Sequence, residues 1–433
     1  MKYTLRKIIV KILRWESQLV IWKYNPKIIA ITGSVGKTST KDAMYAVLSS
    51  VAYVRKSEKS YNSEFGLPLT VLGVPNGWTN LWVWTRNAFA GLWLFLWPHK
   101  YPEWLILEVG VGKPGDMKKT AGWLSTDAVV MTAIGDLPVH IEFFESRKHL
   151  VDEKAGLIKT LKKGGVLVLN ADDETIVGLK SRTKNVAVTY GFSAGAEVLA
   201  SDSKISYDSA GLPNGTMLRV DAGGNSIPVV LEGVFGTNHV YAALAALGAT
   251  YGLKLNMVKA AESLRNYSYP PGRMCLLQGI NGSLLIDDTY NSSPLAAKHG
   301  LATLGEVSMP KPGRKIAVLG DMLELGRFTE EAHIEIGGIA AKNADILVLV
   351  GPRAVSMKEG AVRAGMNENN IHQFQNSHQA GEFLATLAGQ NDLIFLKGSQ
   401  GMRMERAVEA ILKDKENKAR LLVRQEKEWL EKE

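Results

Sequence analysis

Short runs of consecutive apolar residues, each closed by a glycine or a polar residue, punctuate this chain. Residues 27–32, Lys-Ile-Ile-Ala-Ile-Thr, form one such run, closed by Gly33, and predict a buried strand. Residues 105–109, 128–134 and 166–170 predict three more. Between them the apolar positions fall at helical spacing, over about 37–48 and 147–161. Strands that read as unbroken apolar runs are buried on both faces. Their alternation with helices predicts a mostly parallel sheet covered on both sides. Residues 194–232 differ. Gly, Ser and Asp are dense there and apolar positions alternate, which predicts a small antiparallel β region. Helical spacing returns over 238–252 and 255–264. The stretch 266–272, Asn-Tyr-Ser-Tyr-Pro-Pro-Gly, reads as a linker. Beyond it strands are predicted at 284–287, 315–319, 345–350 and 393–397, a second and smaller doubly wound unit. From about 413 to 433 charge is dense, and a solvated helix is expected.

Composition narrows the picture. The 433 residues are 46% hydrophobic and 22% charged, enough to bury real cores and to exclude wholesale disorder. The single cysteine, Cys275, excludes a disulfide framework and an all-cysteine metal site. A lone thiol fits a reducing compartment, so a cytoplasmic setting is expected. The net charge is +8, but residues 1–27 hold seven basic side chains against Glu16, or +6 of it. The rest is nearly neutral, which argues against nucleic acid as a partner. The most apolar run, 88–97, is ten residues long, too short to span a bilayer.

Candidate chemistry begins where the first predicted strand ends, at Gly33-Ser34-Val35-Gly36-Lys37-Thr38-Ser39. The glycines let backbone N–H groups approach a phosphate, and the helix N-terminus adds positive potential. Lys37 can reach the β- and γ-phosphates, and the Thr38 hydroxyl can ligate Mg²⁺. The general phosphate-loop pattern has four residues between its glycines; here there are two. Glu108 closes a buried strand, on the ligand side of an open α/β sheet, which suits a metal ligand or a plain strand-end carboxylate. His140 follows the next strand and Lys154 lies in a helical stretch. Taken singly, they read as a structural histidine and a solvated lysine, and neither stands as a site residue on its own. The fold class is therefore α/β. A central P-loop ATPase domain is expected over 27–267, with a mostly parallel sheet and a small antiparallel region. A Rossmann-like C-terminal domain is expected over 268–433, after a basic helix, 1–26, at the start.

Taken together, these segments resemble the Mur ligase family, the ATP-dependent amide ligases of peptidoglycan precursor synthesis. The resemblance runs in order through 31–40, 61–70, Glu108-Val-Gly, 132–142, Lys154, 170–173, 236–246, Gly272-Arg-Met, 287–294, 318–326 and 397–405. Within the family it is strongest to the MurF type, which joins D-alanyl-D-alanine to a UDP-linked muramoyl tripeptide. The resemblance implies ATP and two Mg²⁺ ions as cofactors. Gly33, Ser34, Val35, Gly36, Lys37, Thr38 and Ser39 would hold the phosphates. Thr38 and Glu108 would ligate one ion, and His140 and a carbamylated Lys154 the other, with Lys37, His140 and Lys154 catalytic. Asn238 and His239 would lie near the adenine, and Arg273 and Asp288 would reach the nucleotide. Asn62, Tyr290, Asn291, Lys397, Ser399 and Arg403 would meet a cell-wall precursor or another small-molecule substrate. The implied rivals are a P-loop kinase, a folylpolyglutamate synthetase-like ligase and a degenerate membrane-associated ATP-binding protein.

Several positions depart from the family. Ser60 and Ser63 stand where asparagines are usual, Asn238-His239 is reversed, Ala242 replaces an asparagine, and Gly156 replaces an acid. About 27 residues precede the phosphate loop, and no UDP-binding domain is expected in that space. In their place Leu5, Ile8, Ile9, Ile12 and Leu19 share one helical face, with Arg6, Lys7, Lys11 and Arg14 mostly opposite. A segment read as an insert, 78–104, holds six of the ten tryptophans: Trp78, Trp82, Trp84, Trp93, Trp97 and Trp104. Basic amphipathic helices and tryptophans favour bilayer interfaces. The two segments are expected to make peripheral contact with the inner face of the membrane, to cover the protein body, or to bind a partner.

Overall fold

A computed structural model describes residues 3–57, 61–77, 80–138 and 140–431. Ser60 and Trp78 lie outside the described residues. Two sheets organise the chain. The first has nine strands: β1 (Lys27–Thr32), β2 (Val54–Lys56), β3 (Trp104–Glu108), β4 (Thr126–Met131), β5 (Leu161–Asn170), β6 (Val186–Gly191), β7 (Val198–Tyr207), β8 (Pro213–Ala222) and β9 (Asn225–Glu232). Their order is β2-β3-β1-β4-β5-β6-β7-β8-β9, parallel through β7 and antiparallel from β7 to β9. The second has six strands: β10 (Cys275–Gln278), β11 (Leu284–Asp288), β12 (Lys315–Gly320), β13 (Ile346–Val350), β14 (Ile371–Phe374) and β15 (Leu393–Lys397). Its order is β10-β11-β15-β12-β13-β14, parallel except for β10.

The helices that matter below are α1 (Tyr3–Tyr24), α2 (Lys37–Ser49), α3 (Gly66–Leu72), α4 (Leu81–Leu96), α5 (Arg147–Ala155), α6 (Thr237–Gly252), α7 (Pro294–Glu306), α8 (Thr329–Asn343), α9 (Val355–Arg363) and α10 (Glu405–Ile411). The central strands β1, β4, β11 and β15 are almost wholly buried, as their unbroken apolar runs require. In an open α/β sheet the carboxyl ends of parallel strands carry the ligand side. Both sheets turn those ends toward one shared cleft.

The small antiparallel region expected over 194–232 is present as β7–β9, and it extends the first sheet because β7 pairs with β6. Two other expectations are corrected, and the shortest strands were not foreseen. The edge strands β2, β10 and β14, three or four residues each, carry too few apolar positions to stand out. The helix expected over 147–161 ends at Ala155, continues as a 3-10 turn to Thr160, and β5 starts at Leu161. The charged tail is not one solvated helix. It breaks into short turns, Lys418–Leu421 and Lys427–Leu430, and returns to the body. There Arg424 is buried against Glu405 at 2.8 Å, because a guanidinium taken from water needs an anionic partner.

Candidate active site

β1 runs into a loop in which Gly33 and Gly36 adopt φ of 147° and 86°, conformations that side-chain-bearing residues rarely take. A Cβ on Gly33 would sit 1.9 Å from the Thr132 hydroxyl, so the loop lies tight against the turn after β4. α2 begins at the end of this loop, with no side-chain cap on its first N–H groups. Those orphan donors are what an anion would satisfy. The buried Ser34 hydroxyl also lacks a partner among the described residues.

Two lysines converge on the loop. Lys37 Nζ donates to the carbonyls of Gly33 at 3.0 Å and Ser34 at 3.3 Å. Lys154 Nζ, brought in by α5, donates to the Gly33 carbonyl at 3.0 Å. Burial lowers the Lys37 pKa, with Glu108 opposing and Arg273 adding to the shift. Burial and the nearby Lys37 charge hold Lys154 well below the usual lysine range. His140 is pushed down to about 4, first by burial and then by Lys154 and Lys37, so its ring is neutral near pH 7. A lone helical lysine thus turns out to be neither exposed nor ordinary.

Glu108, at the end of β3, accepts from the Thr38 hydroxyl at 2.9 Å and from Asn62 Nδ2 at 3.1 Å. Among the described residues no three His, Cys, Asp or Glu side chains gather into a metal cage. Magnesium does not need one. It keeps several waters and takes one or two carboxylates together with phosphate oxygens. The hard oxygens of Glu108 and Thr38 beside a phosphate loop suit that ion.

The second sheet supplies the opposite wall. Arg273 reaches across to the Thr38 hydroxyl at 3.3 Å and lies 4.0 Å over the Tyr290 ring. Its Nε is buried without a partner among the described residues. Lys397, from the end of β15, pairs with Asp288, from the end of β11, at 2.5 Å, and also donates to the Asn291 carbonyl at 2.9 Å. Burial pushes the Asp288 carboxyl up and the Lys397 ammonium down, and each charge pulls the other back. Ser399 accepts from the Leu323 amide at 2.8 Å.

The cleft between the walls measures about 880 Å³. It is lined by Ser34, Val35, Gly36, Lys37, Thr38, Ser39, Asn62, Glu108, His140, Lys154, Asn238, His239, Arg273, Asp288, Tyr290, Asn291, Lys397 and Ser399. Of the residues singled out from sequence, Gly33 contributes its carbonyl behind the loop, and Arg403 stays away from the cleft. Arg403 is held by Glu405 at 2.6 Å and by the Trp429 carbonyl at 3.0 Å. His239 has both ring nitrogens engaged, with the Tyr267 hydroxyl at 2.9 Å and the Arg273 carbonyl at 2.6 Å, so it ties α6 to the Arg273 segment. Asn238 Oδ1 pairs with His299 at 2.7 Å. Glu324 and Trp429 are among the further lining residues that were not singled out from sequence. Glu324, in the 318–326 segment, lies 2.7 Å from His140 Nδ1 and so joins the two walls. Its segment was visible as a motif, but its contact was not. Trp429 comes from the tail, and no sequence signal marked it.

Family models match most of this framework: the Mur ligase middle domain over residues 31–84 and 91–250, and the Mur ligase, glutamate ligase domain over 272–400. Most of 78–104 therefore falls within matched residues. The UDP-N-acetylmuramoyl-tripeptide–D-alanyl-D-alanine ligase of Bacillus subtilis is 29% identical over 388 residues, 89% of this chain and 76% of that one. The ligase of the same name from Mycobacterium tuberculosis H37Rv is 32% identical over 348 residues, 78% of this chain. The chain spans only 61% of that mycobacterial relative. Among solved structures, the MurF ligase of Thermotoga maritima in complex with ADP is similar with a TM-score of 0.77 and 25% identity, covering 95% of this chain and 85% of that one. A bifunctional folylpolyglutamate synthase/dihydrofolate synthase from Yersinia pestis shares the fold, with a TM-score of 0.58 at 18% identity over 91% of this chain and 92% of that one.

Proposed function

The chain belongs to the Mur ligase family, and from that premise we propose that it is a MurF-type ligase acting on a peptidoglycan precursor. It would join a carboxylate to an amino acid or a dipeptide such as D-alanyl-D-alanine, coupled to cleavage of ATP to ADP. The observation that carries this reading is the convergence of the phosphate loop, Glu108, His140 and Lys154 from one sheet with Arg273, Asp288 and Lys397 from the other in one cleft.

The proposed chemistry follows from those positions. The loop's N–H groups and Lys37 hold the β- and γ-phosphates. The acceptor carboxylate attacks the γ-phosphorus, the bond to the ADP oxygen breaks, and an acyl phosphate forms. Lys37 and Arg273 face the charge that gathers on the transferring group. The amine then attacks the acyl carbon, and phosphate leaves with the bonding pair as the nitrogen loses a proton. Thr38 and Glu108 would hold one Mg²⁺, and His140 and Lys154 a second; bound there, the ions would neutralise phosphate charge. Lys154 suits carbamylation because its depressed pKa favours the neutral amine, the form that adds CO₂. The product carbamate is an anion, and so a ligand. Asn238 and His239 would face the base side of the nucleotide. Asn62, Tyr290, Asn291, Lys397 and Ser399 would face the substrates. Residues 27–267 would form the nucleotide-binding part and 268–433 the part that closes over it, excluding water from the acyl phosphate. Peripheral membrane contact through 1–27 and 78–104 belongs to the same proposal.

The test is ADP release by the purified chain across a panel of acceptor carboxylates, the UDP-linked muramoyl tripeptide among them, with D-alanyl-D-alanine and single amino acids. Amide product should appear only with ATP. Lys37→Ala should slow it by at least about 10²-fold. Lys154→Ala should be nearly inactive and partly restored by short carboxylic acids. ADP release without amide product across the panel would refute the ligase reading, and an active Lys154→Ala would refute the carbamate.

A further inference from the structure

α1 and α4 each bury one face and turn the other to solvent, and both outward faces are apolar. On α1, Ile8, Trp15 and Trp22 recur every seven residues, and all are exposed, with Ile12 beside them. On α4, Trp82, Phe89 and Leu96 recur at the same spacing, and all are exposed, with Trp93 and Trp97 next to them. Trp22 is 77% and Trp82 75% exposed. Seven residues are nearly two helical turns, so each set forms a stripe along its helix. These stripes are not core. The buried positions are Leu13, Glu16, Ser17 and Val20 on α1 and Trp84, Asn87 and Gly91 on α4.

The two stripes lie on one side of the molecule. Leu13 and Val20 of α1, Leu69 of α3 and Trp84 of α4 belong to a single hydrophobic cluster over the first sheet. The faces opposite those residues therefore look away from the body together. The helices also run in the same direction. Glu16 lies beside Gly91, and further along Lys23 Nζ donates to the carbonyls of Leu94 at 3.1 Å and Phe95 at 2.7 Å. Tyr24 stacks on Tyr101 and fixes the far end.

We propose that this paired-helix face docks on an anionic lipid bilayer. Aromatic side chains with one wet edge, tryptophan above all, favour the headgroup boundary. The surrounding charge has the complementary sign. Residues 3–27 and 80–104 together carry eight Lys and Arg against two acids, Glu16 and Glu103, and Glu16 points inward. Lys11 and Arg86 are exposed on the two helices themselves. The geometry favours lying on a bilayer over crossing it. α4 has 16 residues, about 24 Å of helix, against a hydrocarbon core of about 30 Å. No described helix is long and apolar enough to span. The inference deepens the membrane-contact part of the proposal above and is independent of the ligase chemistry.

The full chain is floated with vesicles of phosphatidylcholine alone and of phosphatidylcholine with phosphatidylglycerol, at low and high salt. ADP release is measured on the same samples, so that failure of docking and failure of catalysis are read separately. Docking predicts flotation with the anionic vesicles, loss of most of it in high salt, and a blue shift of tryptophan emission. Lys11→Ala and Arg86→Ala should each weaken binding about fivefold, the equivalent of about 1 kcal/mol per basic side chain near an anionic surface. Trp15→Ser combined with Trp22→Ser and Phe89→Ser should abolish flotation while ADP release and thermal unfolding stay unchanged. The proposal is overturned if the intact chain stays unbound, if it floats equally with phosphatidylcholine alone, or if the triple variant floats as well. It is equally overturned if the face instead holds two copies together, seen as a dimer that the triple variant dissolves without any vesicle binding.

Discussion

Glu16 shows how far a single residue can depart from its expected role. In the charge count it is only the one acid among seven bases, yet it is buried between α1 and α4, and its Oε2 has no hydrogen-bond partner among the described residues. Burial pushes its carboxyl up to about 7. The folded protein therefore holds this proton more tightly than the unfolded chain, whose carboxyl titrates near 4.5. Stability that is full below about 4.5 is lost as pH rises through about 7. Glu16→Gln removes the titration and should stabilise the protein at pH 8 by on the order of 2 kcal/mol, with the difference closing at pH 4.5. Thermal unfolding of both proteins across this range checks it, and a pH-independent difference would refute the assignment. Lys154 makes the same point in the active site. Its residue type and helix position were legible, but its depressed pKa comes from burial and then from Lys37, which no local pattern contains.

Elements were legible where they are long and strongly patterned. β1, β11, β12, β13 and β15 fall almost on their predicted bounds, because a fully buried parallel strand must be apolar throughout. Elements defined by a partner were not. The pairing of α8 with α9 depends on glycines at the crossing. A Cβ on Gly337 would lie 1.9 Å from the Met357 carbonyl oxygen, and one on Gly360 1.9 Å from that of Ile334. Backbone cannot rotate away as a side-chain tip can. Gly337→Ala should therefore destabilise the chain by about 1–3 kcal/mol despite the better helix propensity of alanine. Urea unfolding reads this directly, and an unchanged or raised midpoint would show that the helices can part at no cost. The tail illustrates the opposite error. Its charges suggested solvent, but Arg424 is buried against Glu405, which also holds Arg403, and Trp429 reaches the cleft.

At the scale of the whole molecule, the two sheets meet through few polar contacts, and Arg273 is central among them. It touches Thr38 across the cleft, and its own carbonyl is held by His239. Arg273→Ala should lower kcat for ADP release by about 10²-fold or more, while leaving thermal unfolding nearly unchanged, because the side chain serves the cleft and not a core. Steady-state rates and a melting curve on the same preparation decide it; a large loss of stability would mean that the arginine is structural. The sequence by itself determined the α/β class, the phosphate loop after β1, and the acids and lysines that close the strands. Those signals are local: burial on both faces demands an apolar run, and a phosphate demands glycines, a lysine and a hydroxyl within a few residues. Tertiary structure alone decided the rest. It joined β7–β9 to the first sheet, brought Glu324 to His140 and Asn62 to Glu108, and turned the tail inward. It also chose which face of α1 looks out. A helical wheel groups Ile8, Ile9 and Ile12, but only packing against α3 and α4 draws Ile9 toward the core and leaves Ile8, Ile12, Trp15 and Trp22 in solvent. Periodicity fixes which residues share a face, whereas the direction of that face is set by neighbours far away along the chain.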